Sequence, residues 1–248
     1  MRQVLSWRLL VCGVGVTLVL AGAISGLLAN REPSYSVWYL LDRSISGSGA
    51  MTVAVCILPA LSYSVTLPLE WESRATPYWI ARTGTAPYVV SKMIAGATAG
   101  ALTLAIGMGL FIGIFSGIGY PFYTKFVTDV PSEALLAEGR IAAGFGSYVL
   151  NYGLSGALAA CCGTLVATFI PDAFVAASSP LLLYFTLTRL TSGRNLQGIQ
   201  NPLYWMQGMV PAPTAGQALL EKLAMVTVLC AGMTVAAVWQ MKRRVSHA

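Results

Sequence analysis

The sequence predicts an all-α membrane protein with six transmembrane helices, and three observations carry that prediction. The 248 residues are 56% hydrophobic and only 10% charged, with a mean hydropathy of +0.69, against roughly 25% charged residues in a soluble domain. Apolar runs of about 20 residues, the length a helix needs to cross a hydrocarbon core of about 30 Å, recur six times. Inside lipid every backbone N–H and C=O must bond within its own segment, so each run reads as a helix; the alternating pattern of a membrane β-barrel is absent.

The runs fall at residues 9–29, 50–69, 93–117, 141–169, 173–190 and 220–241, in one transmembrane domain covering 1–248. Arg2 and Arg8 precede the first run, and Ala21-Gly22-Ala23 has the small-x-small form of a signal-peptidase site. Cleavage there would leave five spans. The run continues to Ala29, long enough to stay as a helix.

Lys and Arg orient the spans. The amino terminus, the loop 70–92 and the carboxyl tail hold Arg2, Arg8, Arg74, Arg82, Lys92, Lys242, Arg243 and Arg244 in short segments. The other face spreads Arg31, Arg43, Lys125, Arg140, Arg189, Arg194 and Lys222 over longer loops. The bias puts both termini and the loop 70–92 in the cytoplasm, and the loop 191–219 outside. All six tryptophans, Trp7, Trp38, Trp71, Trp79, Trp205 and Trp239, fall near span ends or in loops, as an interfacial aromatic belt requires.

The net charge of +6 fits attraction to anionic lipid, and no basic run interleaved with aromatics calls for nucleic acid. Cys12, Cys56, Cys161, Cys162 and Cys230 sit inside the spans without a CxxC, so they read as small packing residues rather than a metal site or disulfides. No Asp, Glu, Lys or His occupies the middle of a span, which disfavours a proton-driven carrier. There is no GxxxxGK[ST] phosphate loop, so any ATP would be hydrolysed elsewhere.

The loop EWESRATPYWIARTGTAPYVVSK, Glu70 to Lys92, interrupts this apolar chain with charge and aromatics. Glu70 and Arg74 stand four apart, the spacing of an ion pair on one helix face. Thr76 fits an N-cap with Pro77 at the first helical position, and Gly84 fits the left-handed residue that ends a helix. Pro77–Thr83 therefore reads as a short helix, with a restart at Thr85 to Pro87. A helix this short must pack on something. Its bulky face, Tyr78, Trp79 and Ile80 with Arg82 alongside, is the expected contact. The plainer reading is an interfacial helix whose aromatics rest in lipid headgroups.

The acidic residue closing the second span, the short aromatic helix, Arg82-Thr83-Gly84 and then Tyr88-Val89-Val90-Ser91-Lys92 resemble the cytoplasmic loop of type-2 ABC transporter permeases. Chain length and six-span layout resemble that family too. The resemblance implies a type-2 ABC exporter (type V-like) permease fold. It makes 70–92 a coupling loop that docks on a separate ATPase subunit, with Tyr78, Trp79, Ile80 and Arg82 docking and Glu70 and Arg74 bracing. It implies two ATPase copies, which bind ATP and Mg, and a second permease, identical or related. The chain itself would hold no cofactor and would not be an enzyme. In that family the second and fifth helices line the cargo pathway, which points to Ser62, Tyr63, Thr66, Tyr184 and Thr188. Taken singly, each of these hydroxyls is as well explained by a bond to its own helix backbone.

The stretch after Leu190 holds Asn201-Pro202, a cap and first-turn pair, then Tyr204, Trp205 and Met206, with Pro211 and Pro213 following. It reads as short helices in the outer leaflet. The resemblance implies re-entrant helices forming an outer gate, against the alternative of an aromatic-anchored loop. Glycine pairs Gly22/Gly26 and Gly96/Gly100 and the set Gly109/Gly113/Gly117 read as close helix contacts, within the subunit or across a dimer seam. Gly153-Leu154-Ser155-Gly156 has the GxSG form of a membrane protease. The single histidine, His247, lies in the tail, so no base serves Ser155, and the motif reads as packing.

The expected function is a permease of an ATP-driven exporter in the cell membrane. Its cargo is expected to be amphipathic or hydrophobic, such as a peptide, antibiotic or lipid-like molecule, because the pathway residues carry hydroxyls and rings without charge. The alternative is a non-transporting scaffold or assembly factor that docks a soluble partner. Intramembrane proteolysis is disfavoured.

Overall fold

The computed structural model describes residues 7–29, 35–46, 49–124, 130–191, 201, 203–206 and 208–246. The described chain is all-helical. Five helical stretches are long and apolar enough to cross a membrane: Thr52–Glu72, Thr85–Gly117, Ile141–Phe169, Ala173–Thr191 and Ala215–Ser246. The chain is thus a multi-pass helical membrane protein. The first apolar run is shorter than its sequence suggests, because it divides at Ile24 into α1 (Trp7–Ala23) of 17 residues and α2 (Ser25–Ala29).

α3 (Val37–Ser46) precedes the second crossing, which is jointed: α4 (Ala50–Tyr63) and α5 (Thr66–Glu72) meet at Ser64 and Val65. At the joint the Ser64 hydroxyl donates to the Ala160 carbonyl at 2.8 Å, tying the break to the neighbouring helix. α6 (Ala75–Thr83) and α7 (Thr85–Gly117) follow, then α8 (Pro131–Ala137) and α9 (Ile141–Phe169). α10 (Ala173–Thr191), the single turn α11 (Leu203–Met206) and α12 (Ala215–Ser246) complete the chain. α7 and α12 begin earlier than their apolar runs, because a helix continues into polar residues once it leaves lipid.

α9 is the centre of the bundle and packs against α4, α7, α8, α10 and α12. Its approach to α7 requires glycine on both sides. A Cβ on Gly100 would collide with the Gly156 carbonyl, and a Cβ on Gly156 with the Gly100 carbonyl, so the two backbones touch at the crossing. Gly107 meets Val16 and Gly13 of α1 in the same manner. Gly22, Gly26, Gly109, Gly113 and Gly117 have open space where a Cβ would stand. The glycine sets therefore divide, with Gly96 and Gly100 used inside the subunit and the others on open faces. Ser155 donates to the Asn151 carbonyl of its own helix and Gly156 packs on Gly100; His247 lies outside the described residues.

Trp38 departs from the aromatic belt. It is fully buried on α3, edge-on to Phe145 at 5.8 Å and to Tyr148 at 4.9 Å. The loop segment carrying it folds back as an amphipathic helix into the main apolar core beside Leu104, Phe111 and Phe115. Trp7, Trp79 and Trp239 are exposed. The five cysteines are free thiols, with Cys56, Cys161 and Cys162 buried among helices.

Candidate functional site

The turn from α5 into α6 is built on Arg74, whose φ of +56° is left-handed and rare outside glycine. This reversal moves the helix start from the Thr76/Pro77 pair to Ala75. Thr76 is then the second helical residue, buried, rather than a cap, and Pro77 is the third. Pro77 costs no hydrogen bond there, since the first four N–H groups of a helix have no internal partner. At the far end Gly84, with φ +85°, donates its N–H to the Ile80 carbonyl at 2.8 Å and lets α7 start at once.

α6 presents two faces. Thr76 and Ile80, one turn apart, point inward, and Ile80 joins a buried cluster with Leu67, Tyr88, Val89, Met93 and Met241. Ile80 is therefore an anchor of the helix and not part of the outward surface expected from its sequence. Tyr78 and Trp79 remain 62% and 41% exposed, their rings edge-on at 5.6 Å. Arg74 and Arg82 are exposed beside them.

Glu70 does not pair with Arg74. The left-handed turn takes Arg74 off the α5 face, so the four-residue spacing loses its meaning. Glu70 instead forms an ion pair with Lys92 and accepts a hydrogen bond from the Tyr88 hydroxyl at 2.7 Å. The two charged side chains are only 8% and 16% exposed for Lys92 and Glu70. The Lys92 ammonium also faces the rings of Tyr63 and Tyr88 at 5.7 and 5.8 Å. Tyr63, expected in a cargo pathway, belongs to this cluster.

Two hollows of about 440 Å³ each flank α6. One is lined by Glu70, Trp79, Thr83, Tyr88 and Lys92. The other lies between α6 and the end of α12, lined by Trp71, Thr76, Pro77, Ile80 and Arg244. Arg244 stacks on Trp71 at 4.8 Å and donates to the Thr168 carbonyl at 3.2 Å. The carboxyl end of the last helix is thereby fastened to α5 and to the end of α9.

The remaining pathway residues do not converge on one chamber. Ser62 donates to the Pro59 carbonyl at 2.7 Å and Thr188 to the Tyr184 carbonyl at 2.8 Å, each within its own helix. Thr66 opens α5, partly buried. Tyr184 is buried with Leu158, Met206 and Val226. It lines a small apolar cavity of about 60 Å³ together with Trp205, Met206, Leu187 and Met233. Tyr184 is thus joined to the residues expected to form a gate. Of those, Met206 is buried, while Tyr204 and Trp205 are partly exposed; Pro202 lies outside the described residues.

Sequence reasoning missed the residues that hold this segment. Gly208, at φ +77°, receives three side chains. Asn151 and Lys222 each donate to its carbonyl at 3.0 Å, and its N–H donates to the Tyr152 hydroxyl at 3.3 Å. Asn151 and Lys222 are fully buried, and the Lys222 ammonium lies over the Tyr152 ring at 5.7 Å. Lys222 had counted only as one charge of an outer loop. Asn151, an amide in mid-span, was the available signal. Beside this group Tyr148 hydrogen-bonds Asp42, and Tyr123 donates to Glu133 at 3.2 Å. Burial pushes the Asp42 carboxyl above its ordinary range, with Arg43 pulling it down and Glu133 adding to the rise.

These elements define a helical multi-pass membrane protein with an exposed aromatic loop helix at one end and a clasped glycine segment elsewhere in the bundle. No family model matches this chain, and no curated protein or solved structure matches it.

Proposed function

We propose that this chain is the transmembrane permease subunit of an ATP-driven exporter, with α6 as the coupling helix that docks on a separate ATPase subunit. The observation that supports the reading is the division of labour on α6. Tyr78, Trp79 and Arg82 are offered outward, while Ile80 and the Glu70–Lys92–Tyr88 cluster fasten the helix to α5 and α7. A rigidly fastened helix with a sticky outer face suits the transfer of force.

In this reading α1 serves as a sixth span, giving the six-span type-2 ABC exporter layout. Both termini lie in the cytoplasm, in the cell membrane. Two ATPase subunits, carrying ATP and Mg, bind two permeases, identical or related. Their closure on ATP pushes α6, and the buried pair passes the push to the two adjoining spans, opening the bundle alternately to either side. The cargo is amphipathic or hydrophobic, in keeping with apolar helix walls. A scaffold that holds a soluble partner would use the same outward face, and would bind it regardless of nucleotide turnover.

The test is co-purification of this chain with an ATPase subunit encoded beside it. Trp79→Ala combined with Arg82→Ala should release that subunit and uncouple its turnover. Unchanged coupling in the double variant removes α6 from the docking role.

A further inference from the structure

α12 is a continuous 32-residue helix, about 48 Å long at 1.5 Å per residue, and no proline interrupts it. Each end is fastened to a different functional element. Near its start Lys222 holds the Gly208 carbonyl. Near its end Arg244 stacks on Trp71, next to Glu70, and donates to Thr168. Arg244 and Val245 also share the hollow beneath α6 with Thr76, Pro77 and Ile80, and Met241, three residues before Arg244, lies in the same buried cluster as Ile80, so a displacement of α6 bears on that tail. Lys222 and Arg244 are about 33 Å apart along the helix.

Gly208 is equally specific. One residue uses both backbone groups on three side chains, two from α9 and one from α12. Its left-handed φ excludes most other residues. Removing Lys222 from this clasp leaves the carbonyl with Asn151 alone. The segment that contains Tyr204, Trp205 and Met206 is thereby held in the bundle by a bond that moves with α12.

We propose that α12 is a coupling rod: displacement of α6 shifts Arg244 and, through α12, withdraws Lys222 from Gly208, releasing Gly208–Val210 and the short helix α11 from the bundle. The inference rests on the reading above only in naming α6 as the place where force enters. The link itself lies within one chain.

The experiment is amide hydrogen exchange of Gly208–Val210 in the isolated full chain in lipid nanodiscs, with helicity checked by circular dichroism. Lys222→Met should speed exchange about tenfold, the loss of one buried hydrogen bond. Lys222→Leu substitutes for it should that variant not fold. Arg244→Ala, at the distant end, should speed the same amides several-fold, while Arg243→Ala, whose guanidinium lies over Trp239 of its own helix, should not. The double variant Lys222→Met/Arg244→Ala should exchange no faster than Lys222→Met alone, because both act on one element. Unchanged exchange in Arg244→Ala, or simple additivity in the double variant, overturns the rod. Either result leaves ATPase docking untouched, and a failed co-purification leaves the rod standing.

Discussion

Glu70 on α5 is paired with Lys92 on α7 across 22 residues of sequence, and the Tyr88 hydroxyl closes the pair from one side. The pair ties α5 to α7 across the loop that carries α6. Because both charges are largely withdrawn from water, removing one leaves the other uncompensated. Glu70→Gln and Lys92→Met should each cost about 3 kcal/mol, measured as unfolding in detergent. Glu70→Leu combined with Lys92→Met should recover most of that loss. Single variants as stable as the parent would mean that the pair carries no net strain on removal.

The inward and outward faces of α6 separate stability from docking. Ile80→Ala should destabilise the chain by about 2–4 kcal/mol, since it empties a buried site. Trp79→Ala and Arg82→Ala remove exposed side chains and should change stability by no more than about 0.5 kcal/mol. A large loss of stability from Trp79→Ala would show that its ring packs rather than docks.

The glycines make opposite predictions according to their surroundings. Gly100→Ala and Gly156→Ala push a methyl into a facing backbone and should cost about 1–3 kcal/mol. Gly113→Ala faces open space and should be neutral or gain up to about 1 kcal/mol in helix propensity. Equal effects at the three positions would contradict the α7–α9 crossing.

Asp42 should give a pH signature. Its folded carboxyl titrates above the ordinary value because burial penalises the charge. The fold therefore favours the protonated form, and that contribution is fully present below the unfolded value of about 3.9. It is lost as pH rises through the folded value. Asp42→Asn, neutral at every pH, should be more stable than the parent at pH 7, with the difference closing as the pH falls toward 4. Melting curves across that range read it directly, and a difference that widens in acid would reverse the assignment.

The long helices were legible because lipid leaves an apolar segment one option, and the limits Ile141–Phe169 follow from the sequence alone. The joint at Ser64 was hidden, since it depends on a hydroxyl reaching a carbonyl of another helix. Trp38 looked interfacial because a helix as short as α3 cannot be told from a loop by hydropathy. In the candidate site, Tyr78, Trp79 and Arg82 were readable as an outward face, whereas Ile80 was misassigned. Its direction depends on the phase of α6, and that phase is set by a left-handed arginine that no residue pattern announces. Lys222 was missed because counting charges by loop assigns a residue to water before the helix that buries it is known.

α7 measures about 50 Å over its 33 residues, and the hydrocarbon slab is about 30 Å thick. The surplus has to stand clear of the oily layer or tilt within it. Ser91 and Lys92 mark the polar end of that surplus, and Lys242, Arg243 and Arg244 mark the matching end of α12. The two ends meet in one buried cluster, where Val89 and Met93 of α7 pack with Met241 of α12. Ile80 pins α6 to that cluster, so Trp79 moves with any change in how far either helix stands out.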